Sequence, residues 1–258
     1  MGLTKRQKIV IASVLIALGM LLIQTVSFFV LRYRLVLTLS FFAFILSLWA
    51  LWEGMTKTKA IVLLILPTFF ALGVSSFYFL LPVRWLTRLP VAVLFGLSFY
   101  SLLLSQNVFN VASVRTIPLY RAASTVTFLF TLITAFFLNN VVFALDQPFF
   151  FNGIIVALLS FPLILQVLWS IQMENITFAI LVYSGILSLI IGECAMALSF
   201  WPVVPTIWSL MLCTMMYVLL GLTMEIYRER LSRRVVWEYL AIGVVVLIFG
   251  TLVTTWGG

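Results

Sequence analysis

The chain has 258 residues, of which 64% are hydrophobic and 9% are charged, whereas soluble domains carry about 25% charged residues. Together with a mean hydropathy of +1.26, this composition excludes a water-soluble globular protein. The formal net charge of +8 could suggest nucleic acid, but the basic residues lie in short clusters between apolar runs, as is typical of membrane boundaries. We therefore expect an integral membrane protein with no nucleic-acid partner.

The first apolar run follows basic residues at positions 5, 6 and 8 and extends over 9–31. It is longer than the roughly 7–15 apolar residues of a secretory signal core, so we interpret it as an uncleaved first span. Further runs follow along the whole chain, each near the roughly 20 residues that a helix needs to cross a hydrocarbon core. Backbone groups in lipid must be hydrogen-bonded internally, so these runs predict helices. The nine predicted spans are 9–31, 35–52, 60–81, 89–105, 122–145, 149–171, 176–198, 203–224 and 235–256.

The predicted fold is an all-α transmembrane bundle in which residues 1–258 form a single domain. Most connections are short, so successive helices should be antiparallel neighbours. With the N-terminus in the cytoplasm, eleven Lys and Arg residues fall inside and four outside, which agrees with the excess of basic residues in cytoplasmic loops. We therefore predict a multi-pass plasma-membrane protein in this orientation. The inside residues are Lys5, Arg6, Lys8, Lys57, Lys59, Arg115, Arg121, Arg228, Arg230, Arg233 and Arg234, and the outside residues are Arg32, Arg34, Arg84 and Arg88.

The chain contains no histidine and only seven acidic residues. Ser-His and Cys-His nucleophiles, His-ligated metals and His proton shuttles are therefore excluded. Every Lys lies at a predicted boundary, which leaves no Ser–Lys pair at membrane depth, and the sole Asp, Asp146, lies in a predicted loop. We expect no catalytic residue, metal or cofactor, and we do not expect an enzyme.

The longest predicted connection, 106–121, joins the fourth and fifth spans. Asn107 and Asn110 are three residues apart with apolar residues between them, and Arg115 and Arg121 can reach lipid phosphates. The segment is either a connector that extends its basic side chains to the headgroups or a short interfacial helix. These four residues are our candidate contacts for lipid or a partner.

Several segments around this connection resemble a known family: 106–112, 115–118 and 121–123, together with 77–82 and 84–85. The family is an uncharacterised multi-pass membrane protein family of ultrasmall, candidate-phylum bacteria, and the similarity covers roughly residues 60–145. The resemblance implies a plasma-membrane protein. It supplies no catalytic or binding residues.

Glu193 is the sole ionisable residue well inside a predicted span, and such residues are functional candidates. With the N-terminus inside, Asn139, Asn140, Asp146 and Asn152 fall on the same outer side of the membrane. We predict a polar cluster of these residues in the outer part of the bundle with Glu193 at its centre. The alternative is a neutral or hydrogen-bonded Glu193 that only contributes to packing.

Two further patterns concern packing and the cytoplasmic surface. Ser184, Ser188 and Gly192 recur every four residues and form a small-residue face, which predicts close helix packing within the chain or dimerisation. In the segment 225–238, the spacing of Glu225 with Arg228 and of Glu229 with Arg233 predicts a helical extension into the cytoplasm.

Two functions remain open on the sequence. The first is a non-catalytic scaffold, assembly factor or subunit of a membrane complex. Its basic cytoplasmic loops would contact anionic lipid headgroups, and its helices would contact a membrane-protein partner or a second copy of the chain. The alternative is a small-solute or lipid transporter with an outer-side polar site around Glu193.

Overall fold

A computed structural model of the chain describes residues 3–24, 29–80, 85–112, 119–173 and 175–254. Within these ranges the chain forms nine α-helices and no strand, so the predicted all-α fold is confirmed. Each helix contains a segment that is long and apolar enough to cross a membrane. The helices are α1 (Lys5–Gln24), α2 (Phe29–Leu51), α3 (Lys57–Tyr78), α4 (Trp85–Ala112), α5 (Tyr120–Ala144), α6 (Phe149–Gln172), α7 (Phe178–Leu198), α8 (Pro205–Tyr227) and α9 (Arg233–Val253).

Hydroxyl and amide side chains begin several of these helices. Thr4 and Gln7 form a reciprocal capping box at α1, because the Gln7 Oε1 accepts from the Thr4 N–H and the Thr4 Oγ1 accepts from the Gln7 N–H. Thr56, Thr177 and Ser232 cap α3, α7 and α9 through single side-chain acceptors. These caps satisfy backbone donors that have no partner within the helix.

Two helices extend beyond the predicted spans. The fourth span was predicted to end at 105, but α4 continues through Asn107 and Asn110 to Ala112, so the connection to α5 is shorter than predicted. The first connection was predicted at 32–34, but α2 already begins at Phe29. Hydropathy could not locate the start of α2, because the apolar run 9–31 continues across it.

The helices fall into two compact units, which are described separately. Unit 1 comprises Met1–Thr134 with Met173–Asn175, and unit 2 comprises Ala135–Gln172 with Ile176–Gly258. In unit 1, α1 packs against α2 and α4, and α3 packs against the same two helices. In unit 2, α6 and α7 form the most extensive contact, α8 packs on both, and α9 packs on α8.

Aromatic rings form part of the core of unit 1. Phe70 of α3 stacks on Phe95 of α4 with 5.7 Å between ring centroids, and it meets Phe130 of α5 edge-on at 5.3 Å. In unit 2, the ring of Phe143 stacks on that of Trp208 at 4.6 Å. Geometries of this kind add to the packing of buried apolar area.

The small-residue face of α7 packs within the chain. Ser184, Ser188 and Gly192 are all buried. A Cβ added at Gly192 would lie 2.8 Å from both the Ala157 Cβ and the Gly153 carbonyl oxygen of α6. The absence of a side chain therefore lets the two helix backbones approach closely, as in small-residue contacts between membrane helices.

Candidate functional site

Five polar residues come together at one end of unit 1, in a group that we name the Glu53 cluster. It contains Lys5, Lys8, Glu53, Lys59 and Asn110. These residues come from the start of α1, the turn after α2, the start of α3 and the end of α4. Four helix ends therefore meet here, and α1 and α3 run antiparallel to α2 and α4.

The turn between α2 and α3 is the centre of this cluster. Gly54 has φ +83°, a backbone conformation that residues with a Cβ rarely adopt. Thr56 then ends the turn by capping α3, where its side chain accepts from the Lys59 N–H. The sharp reversal leaves Glu53 and the last carbonyls of α2 facing the neighbouring helices.

Two lysines of α1 bind this turn. The Lys8 Nζ donates to the Glu53 Oε1 at 2.6 Å, and the Lys5 Nζ donates to the Glu53 backbone carbonyl at 2.9 Å. The hydrogen bond and charge of Lys8, with a smaller contribution from Lys5, hold the pKa of the Glu53 carboxyl below its ordinary value of 4.5. Glu53 is therefore an anion at neutral pH.

Asn110 of α4 joins the same turn from the other side. Its Nδ2 donates to the Leu51 carbonyl at 2.9 Å and to the Glu53 carbonyl at 3.1 Å. The Lys59 Nζ donates to the Asn110 backbone carbonyl at 3.3 Å. Asn110 is 1% exposed and Lys59 is 8% exposed. The cluster thus satisfies carbonyls that the ends of α2 and α4 leave without helical partners.

The four predicted lipid or partner contacts have different outcomes. Asn110, a candidate contact for lipid or a partner, is buried and its side chain binds the α2–α3 turn. Asn107 is half-buried, and its Oδ1 has no hydrogen-bond partner among the described residues. Arg121 is exposed at the start of α5. Arg115 lies outside the described residues.

Basic residues outnumber acidic ones around the cluster. Arg6, Lys57 and Arg121 begin α1, α3 and α5, and their side chains are exposed. Because α1 and α3 run antiparallel to α2 and α4, the starts of α1 and α3, with Arg6 and Lys57, lie at the end of unit 1 that holds the Glu53 cluster. This end can attract phosphate groups. The described residues include no group of three His, Cys, Asp or Glu side chains that could hold a metal ion.

The predicted outer polar cluster lies in unit 2 and is only partly assembled. The Asn140 Nδ2 donates to the Thr206 Oγ1 at 3.5 Å, and the Asn152 Nδ2 donates to the Ser199 Oγ at 3.2 Å. Asn139 is buried as well. Asn140 therefore connects α5 to α8, and Asn152 connects α6 to the end of α7.

Glu193 does not lie at the centre of these contacts. Its side chain is exposed on α7, on the same stripe as the exposed Ile186 and Leu189, while Gly192 faces α6. Asp146 is exposed in the turn after α5. The placement of Glu193 is a correction to the predicted cluster, because helix phase turns its side chain away from the packed face of α7.

Sequence reasoning missed Lys5, Lys8, Glu53 and Lys59 as a group, because the three lysines were interpreted as markers of topology and Glu53 was given no role. One signal was available. A lone acidic residue, Glu53, lies in a short connection on the side of the membrane that the positive-inside count fills with lysine and arginine. Opposite charges at neighbouring helix ends are expected to pair.

These observations define a class: an all-α protein whose nine described helices are compatible with a multi-pass membrane protein. Residues 9–253 match the family described as Protein of unknown function (DUF5656), and the chain belongs to that family. Neither the curated proteins nor the solved structures gave a match.

Proposed function

We propose that this chain is a non-catalytic integral protein of the plasma membrane that serves as a scaffold, assembly factor or subunit of a membrane complex. One observation carries the proposal: the buried polar side chains described above bind helix ends and neighbouring helices. Asn110 and Lys59 hold the α2–α3 turn, and Asn140 and Asn152 connect helices of unit 2. Polar side chains with these contacts stabilise the packing of the helices rather than take part in a reaction.

The helices differ in the share of their residues that is buried, and this difference also supports a role in assembly. In the membrane-spanning segment of α9, 6% of the residues are buried, against 39–56% in the other eight described spans. Val245, Ile248 and Leu252 are among its exposed apolar side chains. α9 is therefore the helix most accessible to a membrane-protein partner or to a second copy of the chain.

Purification of the tagged full-length chain from native membranes in mild detergent tests the proposal. We expect a partner, or a second copy, to copurify in stoichiometric amount. Val245→Trp should reduce the yield of that partner, whereas Leu158→Trp, at an exposed position of α6, should leave it unchanged. A lone, monodisperse monomer from native membranes would contradict the proposal.

The alternative function, a small-solute or lipid transporter, was predicted around Glu193. The exposed position of Glu193 and the separate hydrogen bonds of Asn140 and Asn152 weaken the basis for such a site. Uptake of a solute into proteoliposomes that contain only this chain would favour the transporter.

A further inference from the structure

An apolar groove of about 440 Å³ runs along the seam between α1 and α4 in unit 1. Its base is built from small residues: a Cβ added at Gly96 would lie 2.9 Å from the Ala17 Cβ and 3.8 Å from the Ser13 carbonyl oxygen. The Ser13 Oγ already donates to the Ile9 carbonyl at 2.9 Å, so it offers little to a polar ligand. The base is therefore narrow and apolar.

Large exposed apolar side chains form the walls of this groove. Val10, Val14 and Leu18 stand on α1, and Val93 and Leu97 are among those on α4. The volume falls within the roughly 300–1,000 Å³ of small-molecule sites in proteins. An occupant of this groove must itself be apolar along its length.

The length of the groove corresponds to one leaflet of a bilayer. On α1 the lining extends from Val10 to Leu21, which is about 16 Å at 1.5 Å per residue. Half of a hydrocarbon core is about 15 Å. A partner helix that crossed the membrane would need a seam about twice as long, so a single lipid chain fits the groove better.

A second pocket of about 390 Å³ lies at the start of α1, next to the end of the groove at Val10, and Thr4, Arg6 and Gln7 are among its lining residues. Val10 lines both cavities. Arg6 lies one helical turn before Val10 and makes no hydrogen bond or ion pair with the described residues. The Thr4 and Gln7 side chains are occupied by the capping box. Arg6 is therefore the group available for an anion.

We propose that unit 1 binds one anionic phospholipid, with an acyl chain in the groove between α1 and α4 and its phosphate at Arg6. The site has two chemically different parts in the order that such a lipid requires. An apolar slot of leaflet length ends one helical turn from an arginine, whose guanidinium is well suited to phosphate. This inference goes beyond the proposed function, since a scaffold could assemble without holding a specific lipid.

Native mass spectrometry of the full-length protein in nonionic detergent tests the site with phosphatidylglycerol and phosphatidylcholine of identical acyl chains. The wild type should retain one phosphatidylglycerol in preference to phosphatidylcholine. Arg6→Gln should lower this preference by roughly fivefold, the effect of one basic residue near an anionic surface. Arg230→Gln, which removes an exposed charge in the turn between α8 and α9 of unit 2, should leave the preference unchanged.

The groove itself is tested by filling it. Val14→Trp should abolish retention of both lipids, whereas Leu15→Trp, at the adjacent exposed position outside the groove, should retain them as the wild type does. Val93→Trp fills the groove from α4 and replaces Val14→Trp if that variant is not monodisperse. Equal retention of the two lipids by the wild type, or equal behaviour of the groove-filling and Leu15 variants, would overturn the proposal.

Discussion

Asn110 shows how one side chain can join three helices at the residue scale. Its amide reaches two carbonyls of the α2–α3 turn, and its own carbonyl accepts from Lys59 of α3. A buried backbone carbonyl without a partner costs about 1–3 kcal/mol. The geometry of this turn therefore depends on a residue that lies far away in sequence.

Replacement of Asn110 tests this role. Asn110→Leu keeps the approximate shape but removes both donated hydrogen bonds, so we expect a loss of about 1–3 kcal/mol and a lower Tm, by roughly 2–4 °C per kcal/mol. The measurement is thermal unfolding of the purified protein in detergent.

Asn107→Leu is the matched control one turn earlier on α4. Its Oδ1 is buried without a partner among the described residues, so an apolar replacement should cost little or stabilise the protein. A larger loss of stability in Asn107→Leu than in Asn110→Leu would contradict the assigned roles.

At the scale of elements, the contact between α6 and α7 depends on small residues at close backbone approach. Gly153 and Gly192 face each other across this contact, and a Cβ at either would lie 2.8 Å from the carbonyl oxygen of the other. Such a distance requires the helix backbones to move apart. Gly185 of α7, in contrast, has no atom within 4 Å of an added Cβ.

The difference between Gly192 and Gly185 predicts that replacement by alanine affects the stability of the protein differently at these two positions of α7. Gly192→Ala should destabilise the protein, because the added methyl group meets the backbone of α6. Gly185→Ala should be neutral or stabilise it by up to about 1 kcal/mol through helix propensity. Chemical denaturation of the two variants in mixed micelles measures both effects, and a shared sign with equal size would show that the close approach is unimportant.

Helices and their approximate positions could be predicted from the sequence, because hydropathy over about 20 residues depends only on local composition. The end of α4 could not. Asn107 and Asn110 read as connection residues, yet the hydrogen bonds of Asn110 to the turn after α2 favour a continued helix. Tertiary contacts here decide a local structure that local composition leaves open.

The Glu53 cluster and the orientation of Glu193 were beyond the sequence for a related reason. Lys8 and Glu53 are separated by 45 positions, and only the packing of α1 beside α2 brings them together. A nearly uniform apolar helix such as α7 also gives little indication of which face will pack. Glu193 therefore lies within α7, but its side chain is exposed rather than directed toward the packed face of that helix.

At the scale of the whole molecule, the orientation in the membrane stays a prediction that rests on the basic residues. In a variant without Cys194 and Cys213, Lys57→Cys should resist an impermeant thiol reagent in intact cells, because two spans precede it. Gln147→Cys, in the turn between α5 and α6, should react readily because five spans precede it. Labelling in the reverse pattern would invert the predicted topology.

The hydrogen bonds of Asn110 to the α2–α3 turn also have a consequence for the synthesis of the chain. Asn110 follows Leu51 by 59 positions, and translation adds about 5–20 residues per second. For roughly 3–12 s after its own synthesis, the carbonyl of Leu51 therefore lacks the amide that later binds it. Until α4 is inserted, water at the membrane surface must hydrogen-bond the carbonyl of Leu51. The turn is therefore hydrated at first, and it loses this water only when α4 packs against it.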